Sequence, residues 1–264
     1  MILNVIVLIK QVPDTDNVKI DEKTGTMIRE GLDVVMNLFD LHALEVGLSI
    51  VERLGGKLTA ISMGPPRTVD VLKEAIAMGA SDAILLSDRR FAGSDTLATS
   101  LVLSRAIERF LEDFDLIIAG EKATDGETGQ VGPQVGALLK IPVLTYVSKI
   151  LDVSEDHIEV ERTIEDGVER WKVRLPALLT VSRSASSPRL PTLSGLKKAR
   201  SKKIDVIGME ELGMREDEVG LRGSPTRVVK VYNVKVTRKG EIYEGERVKE
   251  GIERVVEILR RFRG

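Results

Sequence analysis

Residues 115–139 read DLIIAGEKATDGETGQVGPQVGALL, and this stretch decides the fold. The apolar run from Asp115 to Ala119 predicts a buried strand, and the run from Val135 to Leu139 predicts a helix. The loop between them, Gly120 to Pro133, contains close-set glycines and two threonines. Because glycine lets the backbone approach a ligand and a helix N-terminus presents unpaired N–H groups, this arrangement is typical of a phosphate site. A glycine-rich turn without a ligand is the alternative.

Strand and helix patterns alternate on both sides of this stretch. Apolar strands are predicted at residues 1–9, 57–63, 83–86 and 143–147, and helices at residues 37–54, 67–78 and 95–112. Asn37 is predicted to cap the first helix with its side chain. This alternation predicts an α/β fold with a doubly wound, mostly parallel sheet, in which ligands bind at the carboxyl ends of the strands. We therefore expect the loops after Ile9, Met63 and Ala119 to meet at one edge.

A different pattern begins near residue 148. Alternating residues at 157–164 and 168–175 predict a β-hairpin with one solvated face, and a smaller hairpin is predicted at 18–29. One more buried strand is predicted at 176–181. From Ser184 onward we expect little regular burial before a last helix at about residues 244–263. The predicted organisation is an α/β domain over residues 1–183 and an extended C-terminal arm over residues 184–264, which packs on its own domain or on a partner.

The composition narrows the possible functions. The 264 residues have a net charge of -2, so no nucleic-acid binding is expected, and they include no cysteine, which excludes thiolate and disulfide chemistry. Only His42 and His157 offer imidazole groups, and they lie in unrelated segments. We therefore predict neither a metal site nor a catalytic side chain. No stretch is long enough to span a bilayer and the start does not resemble a signal peptide, so we expect a cytoplasmic protein.

Two common nucleotide motifs are missing. No Gly-x-Gly-x-x-Gly follows the first strand, which disfavours a conventional dehydrogenase, and no Walker lysine ends the glycine-rich loop, which disfavours ATP hydrolysis. The basic run at residues 197–203 is interpreted as a solvated face, because no aromatic residues interleave with it. Tyr146 and Trp171 lie in strand patterns and are expected to pack against the core.

Six segments form a recognisable set: Val7 to Asp14, Met36-Asn37, Met63 to Pro65, Ala75 to Ala80, Gly120 to Pro133 and Pro188 to Leu193. Together and in this order they resemble the beta subunit of electron-transfer flavoprotein, over nearly the whole chain. The resemblance implies an adenine-nucleotide-binding, Rossmann-like domain whose C-terminal arm contacts an alpha subunit that holds one FAD. It also implies that Leu193 is the exposed leucine that docks into a redox partner, either a dehydrogenase or a quinone oxidoreductase.

The loop from Asp125 to Pro133 resembles that of the bifurcating members of this family, in which the beta subunit binds a second FAD that accepts hydride from NADH. Glycine at positions 126 and 129 leaves room for a diphosphate, so we expect FAD, with NADH as electron donor. A simple electron carrier with structural AMP is one alternative. A nucleotide-binding module of the universal-stress type, which transfers no electrons, is the other.

The resemblance implies two groups of cofactor-binding residues. The first comprises Leu8, Asn37, Asp40 and Met63, which line the adenosine pocket, together with Gly64 as a further cofactor-binding residue. The second provides the phosphate-binding and flavin-facing backbone and comprises Gly120, Lys122, Ala123, Thr124, Asp125, Gly126, Glu127, Thr128, Gly129, Gln130 and Val131.

Overall fold

The computed structural model describes residues 3–14, 33–229 and 240–262. The hairpin predicted at residues 18–29 lies outside the described residues. The strands are β1 (Leu3–Leu8), β2 (Gln11–Pro13), β3 (Val34–Met36), β4 (Gly56–Met63), β5 (Asp82–Leu86), β6 (Leu116–Gly120), β7 (Val143–Val153), β8 (His157–Ile164), β9 (Gly167–Arg174), β10 (Ala177–Val181) and β11 (Asp205–Ile207). The helices are α1 (Leu38–Leu54), α2 (Val69–Met78), α3 (Thr96–Phe110), α4 (Val131–Leu138), α5 (Leu193–Ser201), α6 (Gly220–Gly223) and α7 (Val248–Phe262).

Nine of the described strands form one sheet in the order β11-β5-β4-β1-β6-β10-β7-β8-β9, while β2 pairs with β3 separately. All pairings from β11 to β7 are parallel. The pairings of β7 with β8 and of β8 with β9 are antiparallel, and the latter two strands form the predicted hairpin. The prediction of a doubly wound, mostly parallel α/β sheet is therefore confirmed.

Helices cover both faces of the sheet, which explains why β1 is apolar at nearly every position. Val5 and Val7 belong to the core beneath α1 and α2. Ile6 and Leu8 belong to a second core beneath α3 and α4. A strand that is buried on both faces shows a continuous apolar run instead of alternation. This burial places the polar and glycine-rich segments at the strand ends.

The helix after the glycine-rich loop begins earlier than predicted. α4 starts at Val131, so Gly132 and Pro133 lie in its first turn and not in the loop. Proline is tolerated there, because the first N–H groups of a helix have no acceptor within the helix. A Cβ on Gly132 would lie 2.6 Å from Cγ2 of Thr180, so glycine allows α4 to approach β10 closely.

The expectation of little regular burial after Ser184 is wrong for much of this segment. β11 extends the main sheet by pairing with β5. The residues that follow it bury Met209, Leu212, Met214 and Val219 in the core beneath α3. α7, in contrast, contains no buried residue. The division of the chain at residue 183 stays a prediction.

Candidate functional site

The loops after β1, β4 and β6 meet at one edge of the sheet, as the sequence predicts. These three strands are parallel neighbours, so their carboxyl ends point the same way. Gln11, after β1, donates from its Nε2 to the carbonyl of Arg67, after β4, at 3.3 Å. Lys10, also after β1, forms an ion pair with Asp125 in the loop after β6, with Nζ 2.7 Å from Oδ1. The edge is therefore held together by contacts between loops.

Asn37 occupies the N-cap position of α1, but the prediction that its side chain caps the helix is wrong. Its Nδ2 donates to the carbonyl of Lys122 at 2.9 Å, and its Oδ1 accepts from the backbone N–H of Thr124 at 3.2 Å. Asn37 itself is 1% exposed. The amide thus fixes the start of the glycine-rich loop against α1.

Asp40, one turn further into α1, joins two loops through their backbones. Its carboxylate accepts from the N–H of Lys10 at 2.7 Å and from the N–H of Gly120 at 3.2 Å. A Cβ at position 120 would overlap the Asp40 carboxylate and Phe39, so only glycine permits this approach. Burial raises the pKa of Asp40 to about 7, against the opposing effect of these hydrogen bonds.

The loop from Gly120 to Val131 turns sharply and leaves donors unpaired. Glu127 and Gly129 adopt left-handed conformations, with φ of 52° and 61°. Within the described residues, the backbone N–H groups of residues 128–132 have no hydrogen-bond acceptor. A Cβ on Gly126 would meet nothing within 4 Å. Open space beside unpaired N–H groups at a helix N-terminus suits an anionic ligand.

The charged side chains around this loop are paired with one another. Lys122 lies 3.2 Å from Glu127 and 5.7 Å above the ring of Phe39. Burial raises the pKa of the Glu121 carboxyl, and the charge of Lys122 opposes that rise. Lys10 and Lys122 are therefore two cations at this loop, and their partner carboxylates are half-buried at Asp125 and exposed at Glu127.

A cleft of about 450 Å³ adjoins the loop and falls within the size range of small-molecule sites. Its walls come from α1, the glycine-rich loop, β7, β8 and the turn after β10, and include Phe39, Glu121, Lys122, Tyr146, Thr163, Ser182, Arg183 and Ser184. The prediction that Tyr146 packs in the core is wrong, since it is 52% exposed with a φ of 56°. Trp171 is 46% exposed and also departs from that prediction.

Other site residues that the sequence predicts lie in different parts of the fold. Leu8 is buried and Met63 half-buried in the core beneath α3. The N–H of Gly64 donates to the carbonyl of Leu86 at 3.0 Å, which ties the loop after β4 to β5. The side chain of Gln130 accepts from Thr96 at the start of α3. Leu193 begins α5, away from this edge, and is 88% exposed.

Sequence reasoning missed the cleft because its residues come from separated elements. Phe39, Tyr146 and Arg183 share no motif, and only the sheet order brings them together. Lys10 had a usable signal, since it directly follows the first strand at the predicted ligand edge.

Neither a metal-binding cluster nor a membrane-spanning helix is found among the described residues. No group of three histidine, cysteine, aspartate or glutamate side chains is arranged to hold a metal ion. Among the described helices, none has the length and apolar character needed to cross a membrane.

Comparison with known proteins gives consistent matches over most of the chain. The electron transfer flavoprotein domain matches residues 24–211. An electron transfer flavoprotein subunit beta from Thermoanaerobacterium thermosaccharolyticum is 46% identical, over 97% of this chain and 98% of the relative. The subunit CarD of a caffeyl-CoA reductase-Etf complex from Acetobacterium woodii is 42% identical, over 94% of each chain. The protein FixA from Azotobacter vinelandii is 40% identical, over 90% of this chain and 87% of the relative.

Proposed function

Because the chain belongs to the electron transfer flavoprotein family, among its beta subunits, we propose that it binds FAD through residues 120–131 and takes electrons from NADH. The heterodimer that it forms with an alpha subunit passes these electrons, by bifurcation or simple transfer, to a partner dehydrogenase or quinone oxidoreductase. Bound flavin supplies the hydride and electron chemistry, while the protein binds it, orients it and sets its electrostatic surroundings. The family match removes support from the universal-stress alternative.

One observation carries the proposal: the unpaired N–H groups of residues 128–132 lie at the N-terminus of α4, within the described part of the chain. Phosphate groups bind at such places, because the partial positive charge of the helix end adds to the hydrogen bonds. The loop is pre-organised, since Asn37 and Asp40 hold its first residues before a ligand arrives. Little conformational entropy is then lost on binding.

Two features favour FAD over AMP. Gly126 is exposed and a Cβ there would meet nothing within 4 Å, so the described residues place no steric limit beside it on a group larger than a monophosphate. The cleft next to the loop offers the aromatic rings of Phe39 and Tyr146, which suit a flat ring system. AMP, bound by the same helix N-terminus in a simple electron carrier, is the alternative that the family membership leaves open.

The proposal is tested at Gly129 in the purified complex with the alpha subunit. Aspartate and asparagine have the same shape and both tolerate the left-handed conformation, so they differ mainly in charge. Gly129→Asp should remove one of two bound flavins, together with NADH oxidation, because its carboxylate repels the diphosphate. The flavin that remains should still be reduced by dithionite.

Gly129→Asn is the matched control and should retain more of the second flavin than Gly129→Asp. Flavin content is measured by absorbance after heat release. Equal flavin loss in the two variants would point to backbone strain and argue against a phosphate at this position. Full retention in Gly129→Asp would argue against ligand binding by this loop altogether.

A further inference from the structure

The segment between β10 and α5, residues 182–192, lies along α1 and is called the strap here. Its first fixed point is Ser186. The Oγ of Ser186 donates to the carbonyl of His42 at 3.0 Å, and Nδ1 of His42 lies 2.9 Å from the carbonyl oxygen of Ser186. The strap therefore makes its first hydrogen bonds to α1 at His42, two residues beyond Asp40.

Arg189 is the second and stronger fixed point. Its Nε and Nη2 donate to the two oxygens of Glu45 at 2.8 and 2.9 Å, and its backbone N–H donates to Oε2 at 3.0 Å. Nη2 also donates to Glu52 at 2.9 Å, one side of a second forked contact. The Glu45 side chain is only 11% exposed. Burial acts to raise the pKa of Glu45, but Arg189 outweighs it and lowers that pKa.

The residues after Arg189 expose apolar side chains on a well-fixed backbone. Leu190 is 84% and Leu193 88% exposed. Thr192 caps α5 by accepting from the N–H of Gly195 at 2.9 Å. A Cβ on Gly195 would overlap the carbonyl oxygen of Ala77, so α5 sits directly on α2 at this point. Arg189 and Gly195 thus hold the exposed leucines from both sides.

The charges nearby indicate what kind of partner fits. α5 and the residues after it carry a basic run. Lys198 donates to the carbonyl of Ala80 and Lys202 pairs with Asp82, so both are tied to this chain. For Lys197 and Arg200, no ion pair is found among the described residues. Exposed leucines beside such cations suit a protein surface with an apolar pocket and an acidic rim.

We propose that Arg189 is a positioning residue for partner docking: by fixing the strap to Glu45 and Glu52 on α1, it presents Leu190 and Leu193 in one arrangement to an acidic-rimmed pocket of the redox partner enzyme. The inference rests on the proposed function, electron transfer to that enzyme, and on the docking role that the family resemblance implies for Leu193. A leucine that is held in its binding arrangement loses less entropy on association than a mobile one.

Arg189→Gln alone leaves the buried Glu45 carboxylate without its cation, so it would lower stability as well as free the strap. The double variant Arg189→Gln/Glu45→Gln removes the fork without leaving that charge, so its melting temperature should return toward the wild-type value. Glu52→Gln, which keeps the contacts to Glu45, is the matched control.

Two measurements are made on the full complex with the alpha subunit. In the first, Leu193→Cys introduces the sole cysteine of this chain, which is labelled with a nitroxide. Its electron paramagnetic resonance spectrum should sharpen in the double variant and stay unchanged in Glu52→Gln. An unchanged spectrum in the double variant would overturn the inference.

The second measurement is the KM for the redox partner enzyme of the same organism that reoxidises the reduced complex. The double variant should raise this KM about three- to tenfold at unchanged kcat, the size expected for ordering one or two flexible side chains on binding. If Leu193→Ala raises the KM and the double variant does not, docking stands and the role of Arg189 is wrong. If Leu193→Ala changes nothing, Leu193 does not dock the partner enzyme and the inference is overturned, while the proposed function is still tested separately by the flavin content of the complex.

Discussion

At the scale of single residues, the site depends on polar side chains that bind the protein's own backbone. Asn37 binds two backbone groups of the glycine-rich loop, and Asp40 binds the N–H groups of Lys10 and Gly120. Neither side chain needs a ligand to satisfy its hydrogen bonds. We conclude that these residues shape the site, and that the unpaired N–H groups beyond residue 127 are the ones available for a ligand.

Asn37 provides a test of this division of roles. Asn37→Ala should weaken FAD binding by about 1–3 kcal/mol, because two hydrogen bonds that fix the loop are lost. Asn37→Ser is the control, since serine is an equally good helix cap but cannot reach both backbone groups. Flavin affinity is measured by titrating the apo-complex with FAD. Recovery of wild-type affinity in Asn37→Ser would show that Asn37 acts through the helix end and not through the loop.

Asp40 predicts a pH dependence of stability. Its pKa is raised from the ordinary 3.8 to about 7 in the folded chain, so the folded state binds the proton more tightly than the unfolded state. The stabilisation that protonated Asp40 contributes to the folded state is complete below the pKa of Asp40 in the unfolded chain, and it is lost as the pH rises toward about 7. The loss is about 1.4 kcal/mol per pH unit within this window, and stability levels off above it.

Asp40→Asn removes this titration and is the reference for measuring it. The melting temperature of the wild-type complex minus that of the variant should fall between pH 5 and pH 7, and change little from pH 7.5 to pH 8.5. A difference that is flat through pH 5–7 would mean that the Asp40 carboxyl keeps an ordinary pKa.

At the scale of elements, the sequence predicted those with a clear repeating pattern. The buried runs of β1, β4, β5, β6 and β10 and the alternating hairpin of β8 and β9 were all evident, because burial on both faces or on one face leaves a simple signature. β11 was not predicted, since it has three residues and lies at the sheet edge. The sequence predicts too late a start for α4, because glycine and proline usually break helices, although both fit the first helical turn here.

The apolar side of α7 is not covered by any other described part of the chain. Val248, Ile252, Val255, Leu259 and Phe262 recur at helical spacing, and each is between 46% and 85% exposed. Such a stripe requires a covering surface. We propose that the alpha subunit covers it.

This proposal predicts an asymmetry between the two sides of α7. Leu259→Ala should weaken the heterodimer by about 2 kcal/mol or more, because a large side chain is removed from a buried interface. Glu250→Ala, on the opposite side of the same helix, should have little effect. Subunit affinity is measured by dilution on a size-exclusion column. Equal, small effects of the two variants would mean that α7 does not contact the alpha subunit through its apolar side.

At the scale of the whole molecule, the candidate cofactor site and the proposed docking surface lie in different places. The candidate cofactor site lies at the carboxyl edge of the sheet, where β4, β1 and β6 end. The exposed leucines of the strap and α5 lie elsewhere, but α1 contacts both regions, with Asn37 and Asp40 at its start and Glu45 and Glu52 further along. The sheet order was predictable only as a class, because long-range pairing leaves no local signal, and so the cleft beside the loop was missed.

The most direct test of the account is the nucleotide content of the wild-type complex with its alpha subunit. The complex is purified, denatured by heat, and the released nucleotides are identified and counted per heterodimer. If this chain binds FAD as proposed, each heterodimer releases two FAD and no AMP, and NADH reduces flavin in the intact complex. One FAD together with one AMP, and no reduction by NADH, would contradict it and leave the simple electron carrier as the function.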